Sequence, residues 1–225
     1  MSEREKILAC IREALRAPAR SPAHHGNGAP HPRAPGEIRK ILPAVGGSLQ
    51  ERLALFQKHS VDLKTDFHLV DSENALKNRL LKLRDAEAWT KIAAHAGPLA
   101  DVACRALGLP VCRTDQPYEV RALESCSAGI TECDALIAQT GSVLVTSRSA
   151  GGRAISALPP HHVVLARRDQ LLSGLPEAFA LLQKKYSGDY PSFISLITGP
   201  SRTGDIERIL VLGAHGPKKL TIFCL

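Results

Sequence analysis

The densest run of chemically capable residues is Thr198-Gly199-Pro200-Ser201-Arg202-Thr203-Gly204-Asp205-Ile206-Glu207, which follows a predicted strand at 193–197. A strand that ends in a Gly/Ser/Thr loop exposes backbone N–H groups and hydroxyls at the carboxyl edge of its sheet. Open α/β sheets bind ligands at that edge, and Arg202 adds a forked cation suited to carboxylate or phosphate. The loop therefore reads as an anion cradle, with Ser201, Arg202, Thr203 and Asp205 as its binding groups and Glu207 as a nearby carboxylate. The alternative is a polar turn in which Arg202 pairs with Asp205 or Glu207. The run matches neither G-x-x-x-x-G-K-[ST] nor G-x-G-x-x-G, so it gives no support to nucleotide binding by those devices.

Three further segments carry candidate groups. Gly213-Ala214-His215-Gly216-Pro217 follows the next predicted strand and sets one imidazole between glycines. His215 has the intrinsic pKa for general-base work, and a turn histidine without a chemical role is the competing reading. Gly129-Ile130-Thr131-Glu132-Cys133-Asp134 and then Thr140-Gly141-Ser142 place hydroxyls and carboxylates at strand ends. Cys133 reads as a packed thiol, because nothing local would activate it as a nucleophile. In Ser156-Ala157-Leu158-Pro159-Pro160-His161-His162, neighbouring histidines on a strand point to opposite faces, so at most one serves a given pocket and no metal site follows.

The elements that must position these residues follow from periodicity. Ile7, Leu8, Ile11, Ala14 and Leu15 recur at helical spacing behind a Ser2/Glu5 capping-box pattern, predicting a helix over 1–16. Residues 17–44 form a Pro/Gly/His-rich linker; His24, His25 and His31 lie in it, and an unstructured tract holds a metal poorly. Residues 45–225 make the body. There Ser48 caps a helix with Leu49, Leu53 and Phe56 inward, 67–70 reads as a strand, and a helix from Asp71 or Ser72 carries Leu76, Leu80 and Leu83. A strand at 91–94, a helix from Pro98 to Leu107 stopped by Gly108, and a short extended piece at 110–112 continue the rhythm. Strands follow at 135–138, 142–145, 162–166, 193–197, 209–212 and 220–223, with a helix at 176–186. Gln139-Thr140-Gly141 offers a turn that makes the first two an antiparallel hairpin. Such alternation predicts an α/β fold with a mixed, mostly parallel sheet flanked by helices.

Composition narrows the classes. The 225 residues are 44% hydrophobic and 23% charged, ordinary for a folded globular protein, and no run approaches the roughly 18 apolar residues of a membrane span. The start, Met1-Ser2-Glu3-Arg4-Glu5-Lys6, lacks the apolar core of a signal peptide, so a cytoplasmic location is expected. Of the +7 net charge, +3 lies in residues 1–36, and aromatics are 4% of the chain, which argues against a nucleic-acid partner. The cysteines at 10, 104, 112, 126, 133 and 224 contain no C-x-x-C pair, so local zinc or iron–sulfur ligation is not expected and reduced, mostly buried thiols are.

The segments GITECDALIAQTGSVLV, SALPPHHVVLA, ITGPSRTGDIE and LVLGAHGPKKL together resemble the LutC/YkgG family of lactate utilization proteins, whose shared unit is the LUD domain. The resemblance covers the body from about residue 45 to the C-terminus, in order and spacing. It implies a Rossmann-like α/β fold of the group that includes NagB, RpiA and the CoA transferases, with a site in the crevice formed by the motif loops. It also implies action beside two companion proteins carrying iron–sulfur clusters, in oxidising L-lactate to pyruvate, with no cofactor in this chain itself. Within the matched motifs, His215, Glu207 and Asp134 stand as candidate catalytic groups. Thr131, Thr140, Gly141, Ser142, Ser201, Arg202, Thr203 and Asp205 stand as candidate contacts for a small carboxylate such as lactate or pyruvate. Gly204 stands where the resemblance leads one to expect alanine or a similar small residue, a mild change that leaves the loop reading intact. The competing expectation is a non-catalytic scaffold that docks the iron–sulfur partners through its N-terminal helix and linker.

Overall fold

The computed structural model of the chain describes residues 3–16, 44–203, 211–213 and 215–225. The chain divides into two units, Met1–Leu42 and Pro43–Leu225. In the first, the described residues form one helix, α1 (Glu3–Arg16). The expected linker, with His24, His25 and His31, lies outside the described residues except for Ala44.

The second unit opens with α2 (Leu49–Leu63). Its start is fixed by a capping box: the Ser48 hydroxyl accepts from the Glu51 N–H at 3.2 Å, and the Glu51 carboxylate accepts from the Ser48 N–H at 3.0 Å. Such a box satisfies two helix-end donors that water would otherwise have to serve. Six strands then build one all-parallel sheet: β1 (Asp66–Leu69), β2 (Ile92–Ala94), β3 (Val111–Arg113), β4 (Ala128–Glu132), β7 (His161–Ala166) and β12 (Lys219–Cys224). Their order is β1-β12-β7-β4-β2-β3, so the last strand of the chain is inserted between the first and seventh. A second, four-stranded sheet has the order β8-β5-β6-β9, from β5 (Ala135–Ile137), β6 (Ser142–Thr146), β8 (Leu171–Leu172) and β9 (Ile194–Ile197). Within it β5 and β6 are the antiparallel hairpin that the Gln139-Thr140-Gly141 turn predicts, and Gly141 takes the left-handed φ of 65°. A two-residue pair, β10 (Arg202–Thr203) with β11 (Val211–Leu212), stands apart.

Period-2 alternation sorts the side chains into layers. Ile92, Ala94, Ala128, Ile130, Val163, Leu165 and Phe223 pack on Leu76 and Leu80 of α3 (Glu73–Ala86) and on Leu99, Ala103 and Leu107 of α4 (Pro98–Leu107). The opposite face of the parallel sheet, through Val164, Ala166, Leu220 and Ile222, meets Leu136, Val143 and Val145 of the second sheet. The outer face of that second sheet, through Ala135, Ile137 and Leu144, receives Ala178 and Leu182 of α8 (Leu175–Tyr186). The body is thus a four-layer helix/sheet/sheet/helix stack, and each fully buried leucine in it contributes roughly 1.5–3 kcal/mol. Short helices α5 (Val120–Glu124), α6 (Ser147–Ala150) and α7 (Arg153–Ala157) lie in the connections. Among the described residues, no helix is long and apolar enough to cross a membrane.

Candidate functional site

A cavity of about 270 Å3 lies where the amino ends of β7 and β12 meet β9 and α7. Its position is set by packing. Ile155 on α7 is fully buried beside β4, and Gly129 permits the approach: a Cβ there would stand 2.4 Å from the Ile155 carbonyl oxygen. Holding α7 this close brings Arg153 and Ser156 to the cavity wall. Arg153 is exposed, and its guanidinium finds no ion-pair or hydrogen-bond partner among the described residues. Alternation along β9 sends Ser195 and Ile197 inward. Two loops complete the enclosure, Gly199-Pro200-Ser201 and His215-Gly216-Pro217, and they are tied to each other: the Ser201 N–H donates to the Pro217 carbonyl at 2.9 Å, and the Gly213 N–H to the Ser201 carbonyl at 2.9 Å.

His162, the second residue of β7, also lines this cavity and is only 1% exposed. Its Nε2 shares a hydrogen bond with Thr131 Oγ1 on the neighbouring strand at 2.9 Å, while its Nδ1 is buried without a partner among the described residues. Burial above all, with His161 beside it, pushes its pKa down to about 3, so the ring is neutral. His161 points to the opposite face, as strand geometry requires. Its Nε2 lies 2.8 Å from Thr221 Oγ1, its ring meets Trp89 edge-on, and burial pushes its pKa down to about 4. Among the described residues, no group of three His, Cys, Asp or Glu is arranged to hold a metal ion.

The sequence candidates separate in space. His215 and Ser201 line the cavity, and Thr131 reaches it through His162. Arg202 does not line it; its guanidinium donates to the Leu63 carbonyl at the end of α2. Thr203 is paired with Val211 in the small ribbon. Thr140, Ser142 and Thr198 form a chain of hydroxyls with 2.8 Å links at the hairpin turn, where Gly141 packs on His59 and Leu63. Asp134 sits in a separate knot, accepting from Lys185 Nζ at 2.6 Å, from the Tyr186 hydroxyl at 2.6 Å and from the Thr146 hydroxyl at 2.8 Å. Asp205 and Glu207 lie outside the described residues. Cys133 is buried, and burial raises its thiol well above the usual range, as befits a packed side chain. Cys112, Cys126 and Cys224 are likewise buried and free.

The cavity also differs from expectation in which edge it uses. The parallel sheet offers the amino ends of β7 and β12 rather than a carboxyl edge, and the cradle loop follows β9 of the other sheet. At the carboxyl end of β4 the chain supplies an anion of its own. There Glu132 Oε1 accepts from the N–H groups of Leu99 and Ala100 at 2.7 and 3.1 Å, filling the anion seat at the start of α4 with the protein's own carboxylate. Sequence reasoning also missed Arg153 and Ser195. The Gly151-Gly152 pair before α7 was the available sign of a sharp entry there.

Residues 111–225 match the family described as LUD domain. The chain is 29% identical over 178 residues to the lactate utilization protein C of Shouchella clausii, covering 76% of this chain and 78% of that protein. It is 36% identical over 102 residues to the lactate utilization protein C of Geobacillus kaustophilus, an alignment that spans 44% of this chain and 42% of that relative's length. A crystal structure of a DUF162 family protein from Deinococcus radiodurans superposes with a TM-score of 0.61 at 21% identity, covering 80% of this chain and 99% of that one, which shows a shared fold. The chain belongs to the LUD domain family.

Proposed function

We propose that this chain is a cytoplasmic subunit of a lactate utilization system and binds a small carboxylate, lactate or pyruvate, in the cavity beside β7, β12 and β9. The observation that carries the reading is Arg153, a cation without a partner among the described residues, on the wall of a cavity that also presents Ser195, Ser201 and His215. A guanidinium grips a carboxylate through two parallel N–H donors, and neighbouring hydroxyls orient the rest of the ligand. The name shared by the curated relatives supports lactate as the ligand class. Oxidising lactate to pyruvate removes two electrons and two protons. In this proposal the redox step would be supplied by companion proteins carrying iron–sulfur clusters, and this chain contributes binding, with His215 as a further hydrogen-bonding group on the cavity wall. Isothermal titration of the full chain with L-lactate and pyruvate tests the site, with Arg153→Ala weakening binding roughly 10–100-fold, the worth of a charge-assisted hydrogen bond. Equal affinity in the variant overturns the assignment.

A second reading, a scaffold that docks the iron–sulfur companions, draws on α1, an amphipathic helix in a unit of its own. Co-purification of the companions with a chain lacking residues 1–36 overturns it; their loss supports it.

A further inference from the structure

Arg153 faces more than one cavity. A second space of about 650 Å3 adjoins the first, and the two share Arg153, Ala157, His215 and Gly216 along their boundary. Beyond Arg153 and His215, the described residues that line the second space are Ala154, Ala157, Leu158, Gly213 and Gly216, whose side chains offer no hydrogen bond. Leu158, just past the end of α7, is a large apolar side chain left 42% exposed on that wall. The first cavity, at about 270 Å3, is already large for lactate, which fills roughly 100 Å3, three to four water molecules at about 30 Å3 each. A three-carbon acid held at Arg153 therefore leaves the apolar wall in water.

We infer that the two spaces form one site for a carboxylate with an aliphatic tail. Arg153 holds the head at the junction, the tail lies along Ala154, Ala157 and Leu158, and medium-length 2-hydroxy monocarboxylates bind more tightly than lactate. This rests on the proposed carboxylate site and names a wider class of acid for it. The arrangement fixes the direction of the ligand. A carboxylate carried into the second space gives up water for a wall without donor side chains, whereas at the junction it meets the guanidinium. The opposite holds for a tail: each methylene that leaves water is worth up to about fourfold in affinity, and less where the wall covers it on one side only. Leu158 gains as well, since the tail covers a side chain that the protein alone leaves in solvent. Leu158 is thus the residue that sets the preference for chain length.

The test titrates the full chain with L-lactate, 2-hydroxybutanoate, 2-hydroxyhexanoate and 2-hydroxyoctanoate, and with 1-hexanol as a tail without a head, while 13C-methyl resonances of labelled leucine report on Leu158. The expected result is affinity that rises along the series, with 2-hydroxyoctanoate about tenfold or more tighter than lactate and 1-hexanol about tenfold or more weaker than 2-hydroxyhexanoate. The longer acids shift the Leu158 methyl resonances, and lactate leaves them in place. In Leu158→Ser the advantage of 2-hydroxyoctanoate over lactate falls roughly threefold. The series and the resonances are read on the unaltered chain, so they decide the matter even where the variant folds poorly. Affinity that is level or falls with chain length, or silent Leu158 methyls on 2-hydroxyoctanoate binding, overturns the tail site and leaves the carboxylate site standing. Binding of 1-hexanol as tight as that of 2-hydroxyhexanoate overturns the joining of the two spaces at Arg153. Failure of every acid to bind overturns both readings.

Discussion

Lys185 Nζ and Asp134 Oδ1 stand 2.6 Å apart, joining the last turn of α8 to the start of the β5 hairpin, with the carboxylate side chain wholly buried and the ammonium half exposed. The Tyr186 and Thr146 hydroxyls complete the shell around the same carboxylate. Burial pushes this carboxyl up, but hydrogen bonds from Lys185, then Tyr186, Ser149 and Thr146, outweigh it and hold the pKa below its ordinary 3.8. The knot is therefore a structural clamp between α8 and the second sheet. Asp134→Ala is expected to lower stability by about 2–4 kcal/mol in urea unfolding, because it strips three donors of their acceptor. A loss under about 0.5 kcal/mol would contradict the clamp.

Acid should unfold the protein well before that carboxylate titrates. Burial depresses His161 to about 4 and His162 to about 3, whereas in the unfolded chain both titrate near 6.5. The unfolded state thus binds more protons below that value, so stability is full above about pH 6.5 and falls as pH drops toward 4. Two such groups cost roughly 3–4 kcal/mol between pH 7 and pH 5. Asp134 adds its own loss only below 3.8, since a depressed carboxyl contributes above its unfolded value. Denaturant midpoints across pH 4.5–7.5 measure this, and His161→Phe should flatten the slope by about half.

Arg202 contacts the end of α2, whereas Arg153 lines the cavity proposed to hold the carboxylate. Because the Arg202 guanidinium is committed to the Leu63 carbonyl, Arg202→Ala is expected to leave lactate affinity within about twofold and to lower stability by roughly 1 kcal/mol. Parallel titration and thermal unfolding of the two alanine variants check the division; a tenfold affinity loss in the Arg202 variant would place it in the site after all.

Gly129 is the point at which packing and binding meet. An added methyl would stand 2.4 Å from the Ile155 backbone oxygen and 2.8 Å from its Cγ2, so α7 must lift away from β4. Gly129→Ala is expected to cost about 2–4 kcal/mol and to weaken carboxylate binding as well, because α7 carries Arg153. Retained affinity in a destabilised variant would show that α7 moves without disturbing the cavity.

What the sequence made legible was local. The β5–β6 hairpin was readable because Ala135–Ile137 and Ser142–Thr146 flank a turn whose glycine takes the left-handed φ it needs, and the two faces of His161-His162 followed from strand geometry alone. The capping of α2 by Ser48 was written in a four-residue pattern. The insertion of β12 between β1 and β7 was not, since strand order depends on how distant crossovers pack. Arg153 escaped for a related reason: it sits on a five-residue helix too short to show periodicity and gains its meaning only when Ile155 seats against Gly129. Arg202 looked like the anion ligand because its neighbours are hydroxyls and glycines, and only the fold reveals that the end of α2 claims it. The LUD motifs located the loops around the cavity, through Ser201 and His215, but could not say which side chains of those loops face inward.

The Glu132 carboxylate seated on the Leu99 and Ala100 amides has one more implication. A tethered anion competes against any diffusing phosphate at a local concentration that covalent linkage keeps far above what a cell supplies of a nucleotide. The N-terminus of α4 is thereby occupied from within the chain, whatever the concentration of free anions around it. A free anion reaches those two amides only by displacing Glu132, which ties the end of β4 to the start of α4.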